Sequence, residues 1–389
     1  MKRIRLLLLA AALAAPACSS SGMTGDDQNT GSGSDMTGSA DQWDQALGDR
    51  VVDYNAALRI AALRLTGDLP TMDEINQVAN ATDDAAKKTA YEALIDNYMA
   101  RPTFARQMFY FWRDTFKQGE AADLDTAPAL AAELSVENGS YMDLFTKASG
   151  NCPTFDEGTG VFTPADCANG GPQAGVLANP GVMKQFFSNF AFRRVRWVQE
   201  TFVCTKFPAE VSSTPQNVGG ASPYTGVWPF TSIATNKNGG MGRVDFQDTS
   251  AVICANCHTT INHIAPLFAY YDMNGAHTDA ISVPTPLDGA PPAQLTDYLP
   301  PGEGLAWRMG VPVTDMASLG AAMAQDPDVA ECGVARMWNW ALGKTDIVDA
   351  LEEVPPETIA AQVEAFKSGG FKLKDLIKAV YTSDDFVKF

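Results

Sequence analysis

The chain has 389 residues, 46% of them hydrophobic, so a sizeable core is assured. Its 28 Lys+Arg against 46 Asp+Glu give a formal charge of −18, which excludes a basic nucleic-acid footprint. Only three histidines are present, His258, His263 and His277, so a site needing several His ligands is excluded too.

Met1-Lys2-Arg3-Ile4-Arg5 is a basic start, followed by an unbroken apolar run from Leu6 to Ala15. The run is too short to span a bilayer, which takes ~20 residues, and reads as the core of a signal peptide over 1–17. It ends in Ala15-Pro16-Ala17-Cys18, which resembles a bacterial lipobox and implies acylation of Cys18. Ser19 after the cysteine favours the outer membrane by resemblance to Gram-negative sorting rules. The alternative is ordinary signal cleavage with Cys18 incidental. Residues 18–41 are rich in Gly, Ser, Thr and Asp and predict a disordered tether with the lipid bilayer as partner.

The body predicts a mainly α fold with long irregular loops. Residues 42–150 form an N-terminal helical module. Helical periodicity runs over 51–65, and Thr66-Gly67-Asp68-Leu69-Pro70 ends it. Thr71 with Glu74 reads as a capping box, Asp83 and Asp84 open a helix to about Met99, and Pro102 opens another. The latter carries Phe104, Met108, Phe109, Phe111, Trp112 and Phe116, a stripe that reads as core. Helical pattern returns at 128–148, before an irregular middle over 151–250, and at 180–203, within it. A haem-attachment segment follows at 251–310. A C-terminal helical module covers 311–389, with helices predicted near 314–325, 327–342, 356–368 and 371–381.

Cys254-Ala255-Asn256-Cys257-His258 is C-x-x-C-H, the c-type haem attachment pattern. Two thiols reach the two vinyl groups on one porphyrin edge, and the next residue offers its imidazole to the iron as proximal ligand. One covalently attached haem c, on Cys254 and Cys257, is therefore expected. The competing reading is a disulfide or redox dithiol with His258 incidental. For the distal position, His263 is too near in sequence to round the ring. Met309 and His277 are far enough along, with Met309 preferred, and a five-coordinate iron is also allowed.

The stretch CANCHTTINHIAPLFAYYDMNG (254–275) resembles the C-x-x-C-H segment of the planctomycete-type cytochrome-like secreted proteins. Asp272 and Gly275 match that family's Phe-Asp-x-x-Gly, whereas Asn262-His263 stands for its Asp-Pro and Tyr271 for its Phe. RRVRWVQETFVCTKFPAEV (193–211), RLTGDLPTMDEI (64–75), VPVTDMASLGAAMAQDPDVAECGVARMWNWALGK (311–344) and LIKAVYTSDDF (376–386) are similar to its flanking modules. The resemblance implies haem binding and secretion and names no substrate.

Cys152, Cys167, Cys204 and Cys332 remain, an even number in an oxidising compartment, with three possible pairings. Cys152–Cys167 is preferred, which leaves Cys204–Cys332; free buried thiols are the alternative. Three functions stay open. The first is electron transfer by a membrane-anchored extracytoplasmic c-type haem protein whose redox partner is undefined. The second is a peroxidase-like haem enzyme or subunit with His277 as distal acid–base group, and the third a haem-free structural surface lipoprotein. No nucleotide-binding or hydrolase motif is present.

Overall fold

Short polar side chains set the helix starts. The Asp53 carboxylate accepts from the Asn55 and Ala56 N–H groups at 2.9 and 3.0 Å and opens α1, Tyr54–Thr66. Gly67, at φ +80°, makes the left-handed turn that closes it. Thr71 and Glu74 form a reciprocal capping box at the head of α2, Met72–Ala79. Asp83 caps α3, Asp84–Tyr98, and Pro102 is the first residue of α4, Pro102–Phe116.

This computed structural model describes residues 48–119, 121–205, 252–285, 292–299, 302–308, 310–344 and 354–389, with the backbone alone at 252–257, 259 and 260. The signal peptide, Cys18, the tether, residues 206–250 of the irregular middle and Met309 lie outside the described residues.

The described chain is mainly helical, and Val51–Phe389 is one compact unit. The aromatic stripe of α4 is buried from Phe104 to Phe116. It packs on α5, Thr126–Val136, which is mostly apolar and buried almost throughout, Glu133 and Ser135 included. Trp112 Nε1 donates to Ser135 Oγ at 2.9 Å across that contact. Around α5 lie the short helix α6, Asp143–Thr146, and α7, Pro180–Gln185. A small antiparallel hairpin, β1 (Thr154–Asp156) with β2 (Val161–Thr163), lies between them in sequence.

Two of the expected helices are broken. The pattern over 128–148 divides because Asn138 takes φ +55° and Gly139 sits against Leu134, where a Cβ would meet the Leu134 side chain at 2.5 Å. The pattern over 180–203 divides at Asn189–Ala191, where Phe190 and Ala191 take φ +54° and +59°. Two non-glycine residues in that region cost ~1–2 kcal/mol each, so buried packing must hold them there. The chain resumes as α8, Phe192–Phe202. The first expected helix also starts late, because Val51–Asp53 is extended and pairs with the chain's end. Val51 and Phe389 exchange N–H···O bonds of 3.0 Å, and the Asp53 N–H donates to the Val387 carbonyl at 2.9 Å.

Beyond the undescribed stretch comes α9, Val252–Phe268, a helix the sequence reading did not assign. A two-residue hairpin, β3 (Ala306–Trp307) with β4 (Val311–Pro312), packs on it. Then follow α10 (Met316–Gln325), α11 (Pro327–Ala341), α12 (Pro356–Ser368), α13 (Leu373–Tyr381) and α14 (Asp384–Val387). Two disulfides, Cys152–Cys167 and Cys204–Cys332, close loops of 15 and 128 residues. Among the described residues no helix is long and apolar enough to cross a membrane.

Candidate functional site

The C-x-x-C-H positions occupy the first two turns of α9. At about 100° per residue, positions 254, 257 and 258 fall within an arc of ~100° on one side of the helix. His258 is half-buried, and its Nδ1 lies 2.9 Å from Asn262 Oδ1, one turn on. Asn262 is fully buried. With its amide oxygen toward the ring, Nδ1 carries the proton and donates, which leaves the Nε2 lone pair as the acceptor. Burial pulls the imidazole below the ordinary histidine value, so the ring is neutral at neutral pH.

Pro266 sits inside α9 and has no N–H to give to the Asn262 carbonyl. The helix therefore lacks one backbone bond at the residue that holds the His258 ring.

An aromatic cluster walls His258. The Phe192 ring meets it edge to face at 5.2 Å between centroids, and Phe192 packs on Phe190 and Tyr298 at 5.4 and 6.1 Å. The positive-φ pair Phe190–Ala191 is what turns Phe192 onto this wall. Tyr298 is fully buried, yet among the described residues its hydroxyl has no hydrogen-bond partner, and burial raises its pKa.

The far end of α9 is anchored by a buried cation. Arg194 of α8 is fully buried and donates to the carbonyls of Met183 (2.9 Å), Phe268 (2.6 Å), Tyr271 (2.8 Å) and Asp272 (2.9 Å). The Phe268 carbonyl is at the C-terminal end of α9, where the helix dipole favours positive charge, Tyr271 and Asp272 follow it, and Met183 belongs to α7. Desolvation pulls the guanidinium down to about 10, so it stays charged at neutral pH. Arg336 of α11 repeats the device on α8, donating to the Thr201 and Glu200 carbonyls at 2.8 and 2.9 Å beside the Cys204–Cys332 bond. The sequence reading missed both arginines. Arg194 stands among Ala191, Val195 and Val198 on the buried side of α8, and that misfit was the available signal.

The other histidines are placed apart from His258. His263 is buried, with Nε2 3.0 Å from Glu303 Oε2. His277 lies beyond the C-terminal end of α9, paired in a β-bridge with Tyr271 and edge-on to its ring at 5.1 Å. His258 and Phe268 alone are separated by ~15 Å along the helix axis. His277 stands with Tyr271, three residues past Phe268. The two residues before Met309 are tied to the head of α11. Trp307 Nε1 donates to Asp326 Oδ2 at 2.8 Å, and Arg308 reaches Asp326 and Asp328 at 3.1 and 2.8 Å. Among the described residues no three His, Cys, Asp or Glu side chains gather as a metal site.

No curated protein and no solved structure matches the chain. One family model, PSCyt2, described as a protein of unknown function (DUF1549), matches residues 45–133. That span takes in α1 to α4 and most of α5, and includes the Arg64–Ile75 stretch. Residues 45–133, less than a quarter of the chain, thus carry a planctomycete-type cytochrome-associated domain of unknown function.

Proposed function

We propose that this is an extracytoplasmic, lipid-anchored c-type haem protein that transfers electrons. The observation that carries the reading is the His258–Asn262 contact. A buried side-chain oxygen 2.9 Å from Nδ1 sets the tautomer whose Nε2 can bind iron. The C-x-x-C-H positions on one side of α9 and the cytochrome-associated domain at 45–133 support it. Tyr298 adds a buried hydroxyl that has no partner among the described residues, in the same aromatic cluster. That is a donor suited to a carboxylate-bearing cofactor. Bound there, the haem would supply a one-electron couple.

The chain's own part is to hold and shield. Asn262 fixes the His258 ring, Phe192 packs on it edge to face, and Arg194 pins the opposite end of the helix that carries it. The anchor rests on the Leu6–Ala15 run and the lipobox-like Ala15-Pro16-Ala17-Cys18, which agree with an attachment chemistry that operates outside the cytoplasm.

The test is expression with a signal peptide and c-type maturation machinery, followed by pyridine haemochrome spectra of wild type, Cys254→Ser and Cys257→Ser. The expected result is a covalently retained chromophore in wild type, with a shifted α band when one thiol is missing. Identical spectra from all three would overturn covalent attachment.

A further inference from the structure

We propose that Trp197, Trp112 and Trp340 form an electron-hopping path through the body, from the helix that walls His258 to the surface at the end of α11. Trp197 of α8 meets Phe116 edge to face at 5.7 Å between centroids. Phe116 lies 5.2 Å from Trp112, and Phe111 continues the row at 5.0 Å from Trp112 and 5.4 Å from Trp340. One phenylalanine thus stands between each pair of indoles, with every neighbouring pair of rings in contact. Indoles give up an electron far more readily than phenyl rings. Tunnelling weakens steeply with distance, so two short hops outrun one long transfer. At the near end, α8 also carries Phe192, whose ring meets His258, and Trp197 lies ~7.5 Å further along the helix axis.

The surroundings suit a migrating charge. Trp112 and Trp197 are 1% and 3% exposed, so a radical there is shielded from water. Their N–H groups donate to Ser135 Oγ at 2.9 Å and to the Phe116 carbonyl at 3.1 Å. Neither acceptor is a base, so an oxidised indole keeps its proton and the hop stays reversible. Trp340 is half-buried and meets solvent. Beyond it Tyr381 lies at 5.9 Å, fully buried, and among the described residues its hydroxyl has no partner to take a proton. A tyrosine oxidises by losing that proton, so the path ends at Trp340. A strong one-electron oxidant beside α8 takes one electron from Trp197, Trp112 refills Trp197, and Trp340 refills Trp112. The Trp340 radical cation loses its N–H proton to water, and a dissolved phenol restores the indole by giving a hydrogen atom. The natural oxidant, haem iron that a hydroperoxide has oxidised, rests on the haem reading above; the path itself does not.

The experiment uses the haem-free chain carrying Cys18→Ser, Cys254→Ser and Cys257→Ser, with a ruthenium polypyridyl label on Arg193→Cys. The Arg193 guanidinium lies 6.0 Å from the Phe186 ring, which stacks on Trp197 at 5.6 Å. A flash in the presence of a cobalt(III) quencher makes ruthenium(III), which takes one electron from the chain. Mass spectrometry after reaction in air then maps the oxidised tryptophans. We expect product at Trp340, falling at least about tenfold in Trp112→Phe and in Trp197→Phe, because each ~59 mV added to a one-electron step costs a factor of ten. Each variant keeps an aromatic ring in its core position, far-ultraviolet dichroism shows that it folds, and either one suffices should the other not fold. Equal Trp340 oxidation in a folded variant, product at Trp307 or Trp338 instead, or no tryptophan oxidation in the labelled parent would each overturn the path.

Discussion

The Arg194 guanidinium lies 2.6 Å from the Phe268 carbonyl, so a charge carried by α8 closes the end of the helix whose first two turns carry Cys254-Ala255-Asn256-Cys257-His258. It answers four carbonyls at once, on Met183, Phe268, Tyr271 and Asp272. A lysine has one compact head and cannot span that arc. Arg194→Lys should lower stability by about 2–3 kcal/mol and Arg194→Leu by more, since each leaves buried carbonyls without donors. The check is the urea midpoint at constant slope. An unchanged midpoint in Arg194→Leu would mean that water replaces the guanidinium.

The Asn262 amide tunes His258 through Nδ1. An acceptor there makes Nε2 a stronger donor and favours the oxidised metal. In the haem-loaded protein Asn262→Leu should therefore raise the reduction potential and Asn262→Asp lower it. Each tenfold change in preference between oxidation states appears as ~59 mV in a one-electron couple. Spectroelectrochemical titration of the three proteins decides it: shifts of one sign, or none, would remove Asn262 from the site.

Much of this scaffold was legible in the sequence because its signals are local. Thr71 with Glu74, Asp83, Pro102 and Pro327 act within one turn, and they mark real helix starts. The stripe on α4 has helical spacing and is buried. What the sequence hid depends on distant partners. Phe190 and Ala191 carry no glycine signal for their positive φ, which packing imposes. Pro266 and the C-x-x-C-H motif masked a continuous helix over 252–268. The His258 motif was visible as a pattern, whereas its aromatic wall comes from residues at 190, 192 and 298. The bridge that pairs His277 with Tyr271 likewise joins positions that no local pattern links.

The two disulfides should differ in worth. The loops they close are 15 and 128 residues long, which the chain-entropy model values at ~3 and ~5 kcal/mol. Cys204→Ser with Cys332→Ser should thus cost more than Cys152→Ser with Cys167→Ser. The second bond also sits where Arg336 reaches the Thr201 and Glu200 carbonyls. Unfolding of the two double variants, compared at equal pH, checks the order, and a reversed order would put local strain above loop entropy.

Acid should weaken the fold through its capping carboxylates. The Ser318 N–H donates to Asp315 Oδ1 at 2.7 Å and holds that carboxyl below its usual range. A folded-state pKa below the unfolded one gives stability that is present above the unfolded value, about 4, and lost as pH falls through the folded value. Asp83 and Asp156, held low by backbone N–H groups, act in the same direction. Asp315→Asn keeps a capping oxygen but cannot titrate. Its thermal midpoint should fall less steeply than wild type below about pH 4. Parallel acid limbs would show that the Asp315 cap does not titrate with folding.

Tyr91 ties the 45–133 domain to the end of the chain. Its hydroxyl donates to the Tyr381 carbonyl at 2.7 Å, a buried bond across 290 residues. Tyr381 is the last residue of α13, where a carbonyl has no partner within its own helix. Tyr91→Phe removes the donor and strands that carbonyl, at a cost of about 1–3 kcal/mol. The Val51–Phe389 pairing lies at the same junction of the two ends, so the loss should register across Val51–Phe389 and not in one module. Tyr91→Phe should then unfold in a single transition shifted to lower denaturant, with far- and near-ultraviolet dichroism coincident. Two separated transitions would mean that the cytochrome-associated domain folds alone and that its bond to Tyr381 is incidental.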